Sequence, residues 1–103
     1  MNMEKKKVEK QKKKADEKIH WRKIRKEELR LVDEIVREQT GLPNKRIHLQ
    51  KMQFKSDKRI EYRLCYYMRK NTSSVWRFQR FTAFVPAVDM KTILVEAHVK
   101  GWF

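Results

Sequence analysis

The stretch RIEYRLCYYMRK (residues 59–70), continued by NTSS (71–74) and VWRFQRFTAFVP (75–86), decides the predicted fold. Arginine and aromatic residues alternate along it with the two-residue period of a β-strand. The polar segment in the middle has the composition of a turn. We therefore predict a β-hairpin with one face in the core and the other face basic and aromatic.

The first strand of this hairpin divides its side chains between two faces. The bulky, mostly apolar set is predicted to face the core, because burial of large apolar side chains drives folding. That set is Ile60, Tyr62, Leu64, Tyr66 and Met68. The set predicted to face solvent is Glu61, Arg63, Cys65, Tyr67 and Arg69.

The second strand, residues 75–85, divides less cleanly. The set with the larger aromatic surface is assigned inward, and it comprises Trp76, Phe78, Arg80, Thr82 and Phe84. Arg77, Gln79 and Phe81 are then exposed beside the outer set of the first strand. The opposite choice of face stays open, and it would expose Trp76, Phe78 and Tyr66 instead.

A third strand is predicted ahead of the hairpin, over residues 45–55. Ile47 and Leu49 share one parity, whereas Met52 and Phe54 share the other. A one-residue bulge near residues 50–51 would bring all four to one face of the sheet.

Two helices are predicted to flank these strands. The first is predicted over residues 16–41, which lack proline and have helical apolar spacing from Leu31 to Val36. The sequence Thr40-Gly41-Leu42-Pro43 is a stop signal, with Gly41 as the C-terminal glycine of the helix. After Pro86, the residues Met90, Ile93, Leu94 and Ala97 follow the spacing of an amphipathic helix. Gly101 would end that helix, and Trp102 could fold back onto its end. Trp102 and Phe103 would then plug the core, or else form an exposed anchor at the C-terminus.

The predicted fold class is therefore α+β, in the order α-β-β-β-α. A long N-terminal helix and a C-terminal helix cover one face of a three-stranded antiparallel sheet. Residues 16–103 form the single domain. Residues 1–15 form a lysine-rich arm or a frayed helix end, because they hold seven lysines and two glutamates.

The charge balance indicates the class of partner. The chain has 27 Lys and Arg against 13 Asp and Glu, for a net charge of +14. Such an excess repels itself in a compact protein, and a polyanion would neutralise it. Unpaired bases stack on aromatic rings and on guanidinium planes. We therefore predict a nucleic-acid-binding module that prefers single-stranded DNA or RNA and has low sequence specificity.

The predicted contact residues come from the outer face of the hairpin and from the arm: Arg63, Tyr67, Arg69, Arg77, Phe81, Lys12, Lys13 and Lys14. The alternative function is a protein–protein adaptor or a self-assembling small protein with a basic surface. A homodimer would then form through the N-terminal helix or a sheet edge.

The sequence favours no catalytic function. Cys65 is the single cysteine, and His20, His48 and His98 lie in three separate elements without metal-ligand spacing. We predict no enzyme activity, no metal and no cofactor, and a metal-dependent nuclease using Asp57, Glu61 or Asp89 ranks third. With no secretory segment and no long apolar run, we expect a cytoplasmic protein without a membrane partner.

Overall fold

The computed structural model describes residues 19–103, and a five-stranded antiparallel sheet forms most of this part of the chain. The strands lie side by side in chain order. They are β1 (Arg22–Ile24), β2 (Glu27–Gln39), β3 (Leu42–Phe54), β4 (Ile60–Met68) and β5 (Arg77–Gln79). The helix α1 (Ala87–Val99) follows and packs on one face of the sheet.

The predicted N-terminal helix is wrong wherever the structure describes it, because β1 and β2 occupy that stretch. Residues four apart share a face in a helix and also in a regular strand, so the spacing of Val32 and Val36 fits both. A bulge between Leu31 and Asp33 then changes the phase of β2. The result imitates helical periodicity in a segment rich in helix-forming Glu and Arg.

Gly41 has the conformation that the sequence indicates but serves a different element. Its φ of +82° lies in the left-handed region, as a helix-ending glycine would. Together with Thr40 it forms the turn between β2 and β3, where Gln39 pairs with Leu42. A helix stop and a tight hairpin turn need the same backbone conformation, so the sequence signal did not separate them.

The prediction of a three-stranded sheet is also wrong. β4 occupies the expected residues, but β2 and β3 are each 13 residues long and β1 adds a fifth strand. The third predicted strand, residues 75–85, pairs with β4 only over Arg77–Gln79. The predicted bulge at residues 50–51 is absent from β3, which keeps one register with β4 from Lys45 to Gln53.

The unbroken register of β3 gives the sheet a cluster of buried apolar side chains on each face. Ile47 and Leu49 point towards α1, whereas Met52 and Phe54 point to the opposite face. The α1-side cluster consists of Ile35, Ile47, Leu49, Ile93, Ala97 and Trp102. The opposite cluster consists of Leu29, Met52 and Phe54, with Ile24 packed against it.

The buried side of α1 carries a carboxylate as well as apolar residues. Ile93 and Ala97 are buried as expected, but Leu94 is exposed and Asp89 is fully buried instead. Asp89 accepts hydrogen bonds from Arg37 Nε (2.6 Å), from Thr40 Oγ1 (2.7 Å) and from the Thr40 backbone N–H (2.9 Å). The first turn of α1 is thereby attached to the turn between β2 and β3.

The C-terminal end of α1 confirms the expectation for Gly101 and Trp102. Gly101 has a φ of +76°, and its N–H donates to the carbonyl of His98 (3.0 Å). The Trp102 N–H donates to the carbonyl of Ala97 (2.9 Å), which completes a Schellman motif. The Trp102 ring is buried against Tyr62, with 5.4 Å between ring centroids.

Candidate nucleic-acid interface

The candidate interface lies on the sheet face opposite α1, which we call the open face. Tyr62 of β4 donates a hydrogen bond to the carbonyl of Trp102 (3.1 Å), so its parity belongs to the α1 side. Alternation along β4 places Arg63, Cys65 and Tyr67 on the open face. Two predicted contact residues, Arg63 and Tyr67, thus lie on the same surface.

The predicted parity of β5 is wrong. Phe78 pairs with Tyr67 and lies on the open face, while Arg77 pairs with Met68 on the other side. The sequence-based choice placed the larger aromatic side chains in the core. However, β5 is an edge strand of three residues, and the structure buries few of the side chains on either of its faces. Trp76 and Phe78 therefore join the exposed surface, as the alternative face assignment allowed.

Aromatic rings and guanidinium groups form a continuous row on the open face. Tyr67 contacts His48 on one side (4.2 Å between ring centroids) and the edge of Phe78 on the other (5.5 Å). The guanidinium carbon of Arg63 lies 5.0 Å from the Phe78 ring centroid. Planar groups that accept stacking thus follow one another from β3 to β5.

The row continues at Trp76, which follows the turn between β4 and β5. The guanidinium carbons of Arg46 and Arg69 lie 4.1 and 4.3 Å from its ring centroid. Arg69 is also held by Asn44 Oδ1, which accepts a hydrogen bond from its Nε (3.0 Å). Two cations are therefore positioned at one half-buried aromatic ring.

A buried glutamine joins the polar side chains at the centre of the open face. Gln50 of β3 is only 3% exposed. Its Oε1 accepts from Arg63 Nη2 (2.7 Å) and Nε (2.9 Å), and its Nε2 donates to Glu34 Oε2 (3.2 Å). His48 Nδ1 lies 3.0 Å from the same Glu34 oxygen. Because Gln50 is buried and bonded on both sides, it fixes the separation of a carboxylate and a guanidinium.

A groove of about 360 Å³ opens above this network. Leu29 and Met52 contribute an apolar floor, while Glu34, Arg63 and Tyr67 contribute polar walls. His20 and Arg22, at the start of the described chain, also line it. No local sequence pattern indicates this groove, since its residues come from β1, β2, β3 and β4 and from the segment before β1.

A second hollow, of about 580 Å³, lies beside the turn between β4 and β5. Arg69, Lys70 and Arg77 line it together with Ser74. Two predicted contact residues, Arg69 and Arg77, therefore share this hollow rather than the groove. No carboxylate lines it, so its character is cationic.

Of the remaining predicted contact residues, the structure describes Phe81, and it brings Phe81 into neither cavity. Phe81 is 75% exposed and lies in the segment between β5 and α1, where it lines neither the groove nor the hollow. Lys12, Lys13 and Lys14, with the rest of the predicted arm, lie outside the described residues. The structure thus divides the predicted set into Arg63 with Tyr67, Arg69 with Arg77, and an isolated Phe81.

Carboxylates and cations are unevenly paired across residues 19–103. Asp33, Asp57 and Asp89 each have a Lys or Arg partner, whose hydrogen bonds help to lower the carboxyl pKa. Within this range, neither Arg63 nor Arg69 lies within ion-pair distance of a carboxylate, and the same holds for Arg77. The acids of the open face include Glu34 and Glu38 on β2 and Glu61 near the start of β4, so positive charge concentrates towards the end of β4 and the turn that leads to β5.

The thiol on the open face has no features of a nucleophile. Cys65 is buried, and this burial raises the pKa of its thiol above the usual value. The thiolate that reacts is thereby disfavoured. In the part of the chain that the structure describes, no three His, Cys, Asp or Glu residues gather in a way that would hold a metal ion.

The helix in the described range is too short and too polar to cross a membrane. The described residues form a small domain of one sheet and one helix, and its open face carries charged and aromatic side chains. Comparison of the chain with models of protein families, with curated proteins and with solved structures gave no match.

Proposed function

We propose that this protein is a nucleic-acid-binding module that takes single strands with low sequence specificity. The binding surface is the β4–β5 side of the open face, with Arg63, Tyr67, Trp76 and Phe78 as its centre. This retains the predicted function class and exchanges Phe81 for Phe78, which the strand register pairs with Tyr67, and for Trp76, which lies against Arg46 and Arg69. Because nucleic acid lies inside cells, the proposal includes an intracellular location.

The observation that carries this proposal is the placement of unneutralised arginines against partly exposed rings. Arg63 lies over Phe78, and Arg69 lies over Trp76, without a carboxylate in ion-pair distance among the described residues. The N–H groups that Arg63 does not donate to Gln50, and that Arg69 does not donate to Asn44 and Pro43, are left for phosphate oxygens. The ring and the guanidinium plane both accept a stacked base.

The cationic hollow adjoins this surface at the turn between β4 and β5. Arg69 and Lys70 line it after the end of β4, where Arg69 lies against Trp76, and Arg77 lines it from the α1 side. A strand whose bases stack along Trp76 and Phe78 would carry its phosphates past these side chains. Duplexes hide their base faces, so the arrangement favours single strands.

Fluorescence anisotropy with a labelled single-stranded oligonucleotide of about 20 nucleotides tests this function. We expect binding at low salt that weakens steeply as salt rises, since each neutralised phosphate releases counterions. Phe78→Ala should weaken binding about tenfold, because loss of one stacked base costs about 1–3 kcal/mol. The matched control is Phe84→Ala, which removes another exposed phenylalanine that lies outside the row.

A labelled duplex of the same sequence should bind more weakly than the single strand. Absence of any anisotropy change at low salt would exclude the proposed function. Equal losses in Phe78→Ala and Phe84→Ala would show that the row is not the binding surface.

A second candidate function, self-assembly into a homodimer, has one specific observation in its favour. β1 pairs with β2 only up to Leu29, and no other described strand pairs with the outer edge of β2 beyond that residue. Leu31, Val32 and Val36 are exposed along this stretch. An open, partly apolar strand edge accepts a further strand. The N-terminal helix no longer offers a route to a dimer, so the edge of β2 is the proposed interface.

A further inference from the structure

We propose that the groove on the open face is a pocket for a guanine base of the bound strand. This inference rests on the proposed function and specifies what the same face recognises. It starts from the two charged walls of the groove, Glu34 and Arg63, and from the amide of Gln50 that holds them apart.

The first wall offers hydrogen-bond acceptors. Gln50 donates to Glu34 Oε2 and His48 Nδ1 lies beside the same oxygen, which leaves Glu34 Oε1 for a ligand in the groove. A carboxylate at neutral pH accepts and does not donate. This wall therefore favours a base edge that carries N–H groups.

The opposite wall offers hydrogen-bond donors. Arg63 uses Nε and one N–H of Nη2 to hold Gln50 Oε1, so Nη1 and the second N–H of Nη2 remain. Two parallel N–H groups of a guanidinium match a base edge with two neighbouring acceptors.

Guanine is the base that satisfies both walls together. Its N1–H and N2–H₂ groups can both donate to the free Oε1 of Glu34, and its O6 and N7 form a double acceptor edge for Arg63. Adenine would present the unprotonated N1 to the carboxylate, and its N6–H₂ group would face the guanidinium. Cytosine and uracil are smaller and lack the paired N7 and O6 acceptors.

The groove has the shape and rigidity that such a pocket needs. Its volume of about 360 Å³ lies within the range of small-ligand sites. Leu29 and Met52 supply an apolar floor on which a planar base can lie, and Tyr67 supplies an aromatic wall. Gln50 is almost fully buried and bonded to both charged walls, so the walls keep their separation before a ligand arrives.

The test compares two oligothymidines of about nine nucleotides, one with a central guanine and one with a central adenine. We expect the unaltered protein to bind the guanine strand at least about fivefold more tightly, which is the lower end of the discrimination that a good bidentate pair gives against the wrong base. Glu34→Gln should remove this preference, because the amide replaces part of the acceptor edge by a donor. Glu38→Gln is the matched control, as Glu38 lies four residues further along β2, on the same face and outside the groove.

A second variant distinguishes recognition of the base from an indirect effect, in which Glu34→Gln would displace Gln50 and His48. Arg63→Lys keeps the charge but loses the fork of donors, so it should reduce the guanine preference and leave most of the salt dependence intact. Thermal unfolding of each variant shows whether it is folded at the assay temperature.

The outcomes separate this inference from the proposed function. If both strands bind with equal affinity to the unaltered protein, the guanine pocket is wrong while the single-strand function stands. If neither strand binds, both are wrong. If Glu34→Gln weakens both strands by the same factor, Glu34 supports the surface without reading the base, and the inference fails.

Discussion

At the residue scale, Asp89 links the helix to the sheet through a charge that is cut off from water. Burial raises the pKa of this carboxyl group, but the hydrogen bonds from Arg37 and Thr40 outweigh burial and leave the pKa below its usual 3.8. The carboxylate therefore stabilises the folded state above the unfolded-state pKa. This contribution is lost as the pH falls through the lower, folded-state pKa.

We expect Asp89→Asn to lower the melting temperature at pH 7 by more than about 5 °C, because it leaves Arg37 without its buried partner. The difference from the unaltered protein should stay constant down to about pH 5 and narrow below about pH 4, where the carboxylate is itself protonated. Thermal unfolding followed by circular dichroism over this pH range measures the difference in melting temperature between the two proteins.

The control for this residue is Asp33→Asn. Asp33 also has a lowered pKa, owing to the Glu34 backbone N–H and to Lys100, but its side chain is exposed. Exposed ion pairs contribute little, so we expect a shift of at most a few degrees. Similar shifts in the two variants would show that the buried carboxylate is not an anchor for α1.

At the scale of elements, β4 and α1 were predictable and β2 was not, for a physical reason. β4 alternates strictly, and α1 has clear ends at Pro86 and Gly101, so local sequence describes both. β2 is a strand because it pairs with β3, and this tertiary contact overrides the helix propensity of its local sequence. Its bulge and its Glu-rich and Arg-rich composition gave it the appearance of a helix.

The same distinction explains which site residues were found. Arg63 and Tyr67 follow from the alternation of β4 alone. Phe78 depends on how β5 pairs with β4, and the burial of large rings was the wrong criterion at a sheet edge. Glu34 and Gln50 became visible only when β2, β3 and β4 were aligned, because no motif joins residues so far apart in sequence.

The outer edge of β2 leads to a prediction about a second copy of the chain. Antiparallel pairing of two copies centred on Ile35 would place Asp33 opposite Arg37 of the other copy on the α1 side. On the open face it would place Val36 opposite Glu34. Charges of opposite sign would then face each other on the α1 side, and like charges would not meet directly on either face.

We expect the unaltered protein to dimerise with rising concentration in sedimentation experiments. Val36→Glu should shift it to the monomer, because it sets a carboxylate opposite Glu34, whereas the isosteric Val36→Thr should retain the dimer. A monomer at all concentrations up to about 200 μM, well above the Kd of a specific interface, would rule out this pairing.

At the scale of the whole molecule, the two faces of the sheet differ in how much apolar surface they bury and in which polar groups they carry. The α1 side holds the larger apolar cluster, including Trp102, and the buried Asp89 anchor. The open face holds a smaller cluster at one end and the polar, aromatic surface at the other. Most of the apolar burial that stabilises the fold thus lies on the α1 side. The open face depends less on apolar packing and can therefore hold arginines without carboxylate partners.

That charge predicts two effects of salt with opposite signs. A net charge of +14 repels itself, and screening relieves the repulsion, so the melting temperature of the free protein should rise between about 20 mM and about 300 mM NaCl. A single-stranded oligonucleotide should raise the melting temperature at low salt, because it binds the folded state, and this increment should shrink as salt rises. Thermal unfolding with and without oligonucleotide measures both effects. If salt raises the melting temperature and the oligonucleotide adds nothing at about 20 mM NaCl, the positive charge does not serve single-strand binding, and the proposed function is wrong.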